Sequence, residues 1–318
     1  MCTGIRFNDP EGNLYFARNL DWNTRYGERV VITPKGFDIP YRFIEPAKSQ
    51  HNIIGMAVAA GNFPLYFDCG NDAGLAVAGL NFPGFASFPE EPVEGKDNVA
   101  AYEFPLWVVA TFDSVDAVEE ALKNVVINGS PFQPGGTVAL LHWIIGDGKR
   151  SIVVEQTADG LHVYDDPVDV LTNQPEFPWH LTNLRTYITA TNTMPENPVW
   201  GKMELVPFGA GSGARGIPGD SYTTSRFVKE AFTHVNYPQK DNEAENVSRA
   251  FHTLSAVAMI DGSSQMADGT FEVTLYTGCY SARTQTYYYS TYEDPAIVAI
   301  PMSDYLNDST DPSKIIVV

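Results

Sequence analysis

The first 22 residues constrain the fold most. Two runs rich in aromatic and β-branched residues, 3–7 and 14–20, flank the cluster Asn8-Asp9-Pro10-Glu11-Gly12, a composition that folds as an antiparallel hairpin. With Asn8 paired to Gly12 around a three-residue turn, Cys2 falls directly opposite Arg18. Opposed residues share a face of the sheet, with Cβ atoms roughly 5 Å apart. Asp21 follows three residues later, past the end of the strand so defined.

Cys2 is small enough that methionine aminopeptidase is expected to remove Met1, leaving one residue with both a thiol and a free α-amine. An α-amine titrates at about 7.7 to 8.0, close enough to neutrality to accept the thiol proton without a catalytic histidine. A guanidinium opposite the sulfur favours thiolate, and a carboxylate near the amine orients it. Only Met1 precedes Cys2, so no signal peptide with an apolar core opens the chain, and myristoylation would need glycine at position 2.

The other cysteines, Cys69 and Cys279, lie in apolar strand-like runs and are expected to be core thiols. No C-x-x-C spacing points to a metal or a redox pair. Six scattered histidines show no H-x-x-x-H or H-x-x-E-H spacing, so no metal and no cofactor is expected; His142, within an apolar run, reads as a core histidine. The Gly209–Gly213 segment has a G-x-G but no preceding strand, which argues against a dinucleotide site. With 39 acidic against 20 basic residues the formal charge is −19, which disfavours nucleic acid and anionic membrane surfaces. No run reaches the roughly 18 apolar residues of a spanning helix, and the expected location is the cytoplasm.

Further along, strands are expected at 53–60, 65–68 and 75–80, the last ending at Asn81. Helices follow at 103–112 and 114–125, the second capped by Asp113 or Ser114. A meander over 138–145, 151–156, 161–164 and 168–172 ends at Asn173, and helices are expected at 179–189, 225–235 and 244–259. A hairpin of 271–280 with 284–292 closes the pattern. Antiparallel hairpins with amphipathic helices imply an α+β fold with helices covering sheets.

Five stretches in order, Cys2-Thr3, Arg18-Asn19-Leu20-Asp21-Trp22, Gly79-Leu80-Asn81-Phe82-Pro83-Gly84, Leu171-Thr172-Asn173-Gln174-Pro175 and Ser225-Arg226-Phe227, resemble the choloylglycine hydrolase family from end to end. That family holds conjugated bile salt hydrolases and penicillin V acylases, within the N-terminal nucleophile hydrolase superfamily. The resemblance implies a single domain over 1–318 without Met1, built as a four-layer αββα sandwich of two antiparallel sheets, with the nucleophile at a strand end between them. It implies Cys2 as nucleophile, Arg18 and Asp21 beside it, Asn81 and Asn173 near the reacting carbonyl, and Arg226 as supporting charge. The implied substrate is a glycine- or taurine-conjugated bile salt, and the implied assembly a homo-oligomer, a tetramer.

The penicillin acylase branch tends to carry an aromatic where this chain has Asn81, which favours the bile salt branch. Trp22, Tyr26, Phe63 and Phe132 are candidates for a steroid-binding face and equally for core packing. The alternatives are a penicillin V or acyl-homoserine lactone acylase with the same machinery, and a catalytically silent bile-acid-binding or thiol redox protein. The intact residue set argues against silence, and the lack of C-x-x-C argues against redox work.

Overall fold

A computed structural model describes residues 1–318. The N-terminal hairpin, β1 (Cys2–Asn8) and β2 (Leu14–Trp22), lies inside a six-stranded antiparallel sheet. Its strand order is Val170–Leu171, β1, β2, Val273–Ser281, Thr286–Thr291, Val298–Pro301. A second antiparallel sheet has eight strands, in the order Gly160–Asp165, Ser151–Thr157, Leu141–Gly146, Ala76–Asn81, Phe63–Asn71, Ile53–Ala60, Arg29–Thr33, Ile316–Val317.

Side-chain alternation along the strands explains the layers. In the Leu141–Gly146 strand, Ile144 joins the core shared by the two sheets, while Trp143 and Ile145 join the core on the second sheet's other face. Helices α1 (Phe104–Thr111) and α2 (Val115–Leu122) cover that other face. Three more, α3 (Phe177–Leu184), α4 (Thr223–Asn236) and α5 (Glu243–Ser255), pack on the outside of the first sheet. The architecture is the expected helix–sheet–sheet–helix stack. Where the first strand crosses the second sheet, the approach is close: a Cβ on Gly4 would lie 3.0 Å from Ile144 Cγ2.

The hairpin forms with a different register. Cys2 pairs with Leu20, and Arg18 stands opposite Gly4. The turn is longer than three residues because the Asp9 carboxylate organises it: Oδ1 accepts from the amides of Glu11 at 3.0 Å and Asn13 at 2.9 Å, a local side-chain to backbone capture typical of Asx turns. The slip amounts to two residues, and the side-chain period of a strand is two, so Cys2 and Arg18 keep the same face and meet diagonally. Asp21 also differs from expectation, lying within β2 rather than beyond it, opposite Thr274.

Elsewhere the expected 114–125 helix stops at Leu122. Val125–Asn128, a β-branched run, instead pairs in parallel with Asp97–Ala100. The strand Arg29–Thr33 and its partner Ile316–Val317 were not expected. His142 is fully buried, with its ring nitrogens 3.0 Å from Glu155 Oε1 and from the Thr172 carbonyl, and its face stacks on Phe82. Cys69 and Cys279 are buried free thiols, both pushed up by desolvation and thereby held protonated.

Candidate active site

Cys2 opens β1 at the edge of the space between the sheets, 6% exposed. Its sulfur accepts a hydrogen bond from Arg18 Nη2 at 2.8 Å. The rest of the guanidinium is fixed by backbone: Nη1 donates to the carbonyls of Gly79 at 3.0 Å and Phe67 at 3.2 Å, and Nε to that of Asn19 at 3.3 Å. These bonds fix the cation against the sulfur.

The backbone nitrogen of Cys2 donates to Asn173 Oδ1 at 2.7 Å. Asn173 follows the short strand Val170–Leu171, which pairs with β1 and so delivers the amide beside Cys2. Its own backbone is pinned by Thr223 Oγ1 on the amide at 3.1 Å and by His180 Nε2 on the carbonyl at 2.9 Å. Burial lowers His180 to about 4, so near neutrality its ring is uncharged and donates from Nε2. Asn173 Nδ2 donates to the Asn81 carbonyl at 2.7 Å and keeps a second N–H for another acceptor. Asn81, half-buried, ends the Ala76–Asn81 strand.

Arg226 sits in the first turn of α4, where the helix dipole disfavours a cation. Its contacts explain the placement. Nη1 donates to the Cys2 carbonyl and to Thr3 Oγ1, both at 2.6 Å, and Nη2 donates to Asn173 Oδ1 at 2.7 Å. Asp21 Oδ2 lies 3.9 Å from the same Nη1 and has no hydrogen-bond partner, while Oδ1 accepts from Thr274 at 2.6 Å. Burial pushes the Asp21 carboxyl up, and Arg226 opposes that push.

Met1 extends the ladder by one residue. Its carbonyl accepts from the Asp21 amide at 2.9 Å, its ammonium donates to the Asp21 carbonyl at 2.7 Å, and the ammonium also pairs with the Glu272 carboxylate.

All six polar residues singled out in the sequence thus form one contiguous cluster. Thr223, Thr274 and Glu272 join it without having been expected; each is a polar residue in a strand, a strand lead-in or a helix start, and no local pattern sets them apart. The four aromatics separate. Trp22 packs against the core that holds Cys2. Tyr26, about half exposed, packs with its ring tilted against Phe67, 5.3 Å between centroids, and its hydroxyl is raised to about 12, chiefly by burial and then by the Cys2 charge. Phe63 and Phe132 pack on each other, 5.6 Å between centroids, and on Tyr102, in the core of the second sheet's other face.

A cavity of about 700 Å³ on that same face is lined by Phe88, Leu122, Val126 and Leu161 together with Lys96, Glu119 and Gln156, and touches none of the six polar residues. Its lining holds no cysteine or histidine, so the polar cluster at Cys2 is the better site. No group of three or more histidine, cysteine or acidic side chains stands close enough to hold a metal ion. No helix is long and apolar enough to cross a membrane.

Comparison with known proteins agrees with this geometry. The family model of linear amide C–N hydrolases, choloylglycine hydrolase family, matches residues 2–315. The chain is 57% identical to a bile salt hydrolase/transferase of Bifidobacterium longum subsp. longum over 98% of both chains. It is 45% identical to a conjugated bile acid hydrolase of Lactobacillus acidophilus, again over 98% of both. Its fold superposes on the conjugated bile acid hydrolase of Clostridium perfringens, solved as a C2A variant, with a TM-score of 0.91 at 34% identity, covering 100% of this chain and 96% of that one. A penicillin V acylase of Agrobacterium tumefaciens shares the fold at 18% identity, with a TM-score of 0.76 over 95% of this chain and 86% of that one. With motifs, sheet architecture and end-to-end identity in agreement, the chain belongs to the choloylglycine hydrolase family of linear amide C–N hydrolases.

Proposed function

We propose that this hydrolase cleaves the amide bond of glycine- or taurine-conjugated bile salts through a thioester on Cys2. The observation that carries the mechanism is the pair of environments around one residue: the Cys2 thiol under Arg18, and the Cys2 nitrogen on Asn173 Oδ1, with Arg226 holding the Cys2 carbonyl and lying 3.9 Å from the buried Asp21 carboxylate. The names of the relatives supply the substrate class.

Removal of Met1 turns that nitrogen into an α-amine held by Asn173 Oδ1. The sulfur attacks the substrate carbonyl carbon while the amine takes the thiol proton. The oxyanion is met by the second N–H of Asn173 Nδ2 and by Asn81. The ammonium then protonates the leaving nitrogen, the C–N bond breaks, and glycine or taurine departs. Water attacks the thioester, its proton passes to the amine, and the C–S bond breaks to release the bile acid.

The test is amino-acid release from a panel of glycine- and taurine-conjugated bile salts with penicillin V alongside. Cleavage of the bile salts well above penicillin V is expected. The reverse order would move the protein to the acylase reading.

The exposed hairpin Val199–Trp200 with Met203–Glu204 supports self-association. Val199, Trp200 and Met203 are 64%, 73% and 67% exposed, neighbouring apolar side chains that a second copy would cover. We infer a homo-oligomer, a tetramer, covering this hairpin. Light scattering should give a mass well above the 35.0 kDa of one chain, falling when Trp200 is replaced by lysine; a monomeric mass for the unmodified chain refutes it.

A further inference from the structure

The positive charge of Arg18 is fully buried, and its hydrogen bonds go to neutral carbonyls and a thiol. A buried cation without a counter-charge is strongly unfavourable. The carboxylate paired with it belongs to Asp68, whose Oδ2 lies 3.9 Å from Arg18 Nη1, too far for a hydrogen bond but close enough for strong attraction at that depth.

Asp68 arrives from the opposite sheet, on the Phe63–Asn71 strand. The pairing of that strand with Ile53–Ala60 slips between Met56 and Ala57, so that Phe67 is an extra residue. Bulges of this kind re-aim neighbouring groups. Here the Phe67 carbonyl and the Asp68 side chain both end on the same guanidinium nitrogen.

The carboxylate is itself held by two phenols. Tyr276 donates to Oδ2 and Tyr287 to Oδ1, each at 2.5 Å. Both phenols are pushed far up by burial, so they remain protonated donors. Tyr287 reaches Asp68 by passing over Gly278 of the neighbouring strand, where any Cβ would collide with its hydroxyl. The Tyr276 ring also lies beneath Arg18, 5.9 Å from ring centre to guanidinium carbon.

We propose that Asp68 is a positioning residue of the catalytic site: held by Tyr276 and Tyr287, it fixes the Arg18 guanidinium against the Cys2 thiol and sets how much of that positive charge the sulfur feels. Two cation–anion pairs then flank the nucleophile, Arg18 with Asp68 at the thiol and Arg226 with Asp21 at the Cys2 carbonyl. The proposal rests on Cys2 being the nucleophile, but its test needs no substrate, so its failure is distinct from failure of the bile salt assignment.

The readout is the rate of Cys2 alkylation by iodoacetamide against pH, followed by mass spectrometry of the modified peptide. The charged and titratable groups set around the thiol are Arg18 and Asp21 from β2, Tyr26 after it, Asp68, Glu272, Tyr276, Tyr287, and Arg226 from α4. Asp68→Asn removes one negative charge and leaves Arg18 unopposed, so the alkylation profile should move to lower pH by roughly half a unit or more. Arg18→Gln should move it the other way. Tyr287→Phe deprives the carboxylate of a donor, so that it draws harder on Arg18; its profile should move to higher pH.

Opposite shifts for Asp68→Asn and Tyr287→Phe support the proposal, since general loosening of the site would not separate them by sign. A folded Asp68→Asn protein with an unchanged profile, or shifts in the same direction, overturns it. Should Asp68→Asn fail to fold, Tyr287→Phe decides alone: an upward shift supports the role, and an unchanged or lowered profile refutes it.

Discussion

Cys2→Ser should lower turnover of a conjugated bile salt by roughly 10³-fold or more while the protein stays folded. Serine matches the thiol in shape, and its backbone repeats the Cys2 contacts, the nitrogen donating to Asn173 Oδ1 and the carbonyl accepting from Arg226. What changes is the proton. A hydroxyl ionises far above neutrality, and an α-amine of ordinary basicity cannot strip it as readily as a thiol. Arg18, which donates to the sulfur at 2.8 Å, would face a neutral hydroxyl instead of a nascent thiolate.

The same mechanism requires that Met1 be gone. In the unprocessed chain the Cys2 nitrogen is a peptide N–H with no lone pair to accept a proton, and the only ammonium at this end belongs to Met1, bound to Asp21 and Glu272. Intact-mass measurement of the active protein should therefore show a chain shortened by one methionine. Full activity from protein that quantitatively retains Met1, or a Cys2→Ser enzyme within tenfold of the parent, would end the single-residue mechanism.

Much of this site was legible in the residues because its members sit at element boundaries that turn chemistry announces. Asn81 ends a strand and Asn173 follows one, and Cys2 with Arg18 share a face by the period of two. Even the misjudged hairpin preserved that relation, since the Asp9 carboxylate lengthened the turn and shifted the register by two rather than one.

What escaped was contributed from far along the chain by residues whose local setting is unremarkable. Asp68 lies in a strand with apolar neighbours, Thr274 is one of several threonines, and Thr223 opens a helix much as other threonines do. Their meaning comes from contacts spanning 50 residues, as between Asn173 and Thr223, to 253, as between Asp21 and Thr274. The bulge at Phe67 has no signature in Leu65-Tyr66-Phe67-Asp68, because it depends on how two strands pair. The aromatics were ambiguous for a related reason. A phenylalanine beside a loop has the same composition whether it lines a pocket or fills a core, and only the fold assigns Phe63 and Phe132 to the core beneath Tyr102 while leaving Tyr26 near Cys2.

Asn173 carries the second large effect, because its two ends serve different steps. Oδ1 receives the Cys2 nitrogen at 2.7 Å and Arg226 Nη2 at 2.7 Å, which orients the nucleophile; Nδ2 faces the Asn81 carbonyl and has an N–H left for the oxyanion. Asn173→Ala removes both ends, and kcat should fall by about 10² to 10³-fold, the loss typical of one oxyanion donor. Asn173→Asp separates the roles. An aspartate keeps acceptors for the Cys2 nitrogen and for Arg226, so the nucleophile stays oriented, but it places a negative charge where the oxyanion must form. If stabilising the oxyanion dominates, Asn173→Asp should be at least as slow as Asn173→Ala, although its Cys2 remains open to alkylation. If orienting Cys2 dominates, Asn173→Asp should recover most of the loss. The comparison of kcat for the two variants, at matched thermal stability, decides between them. Recovery by aspartate would remove Asn173 from the oxyanion site and leave Asn81 to serve it alone.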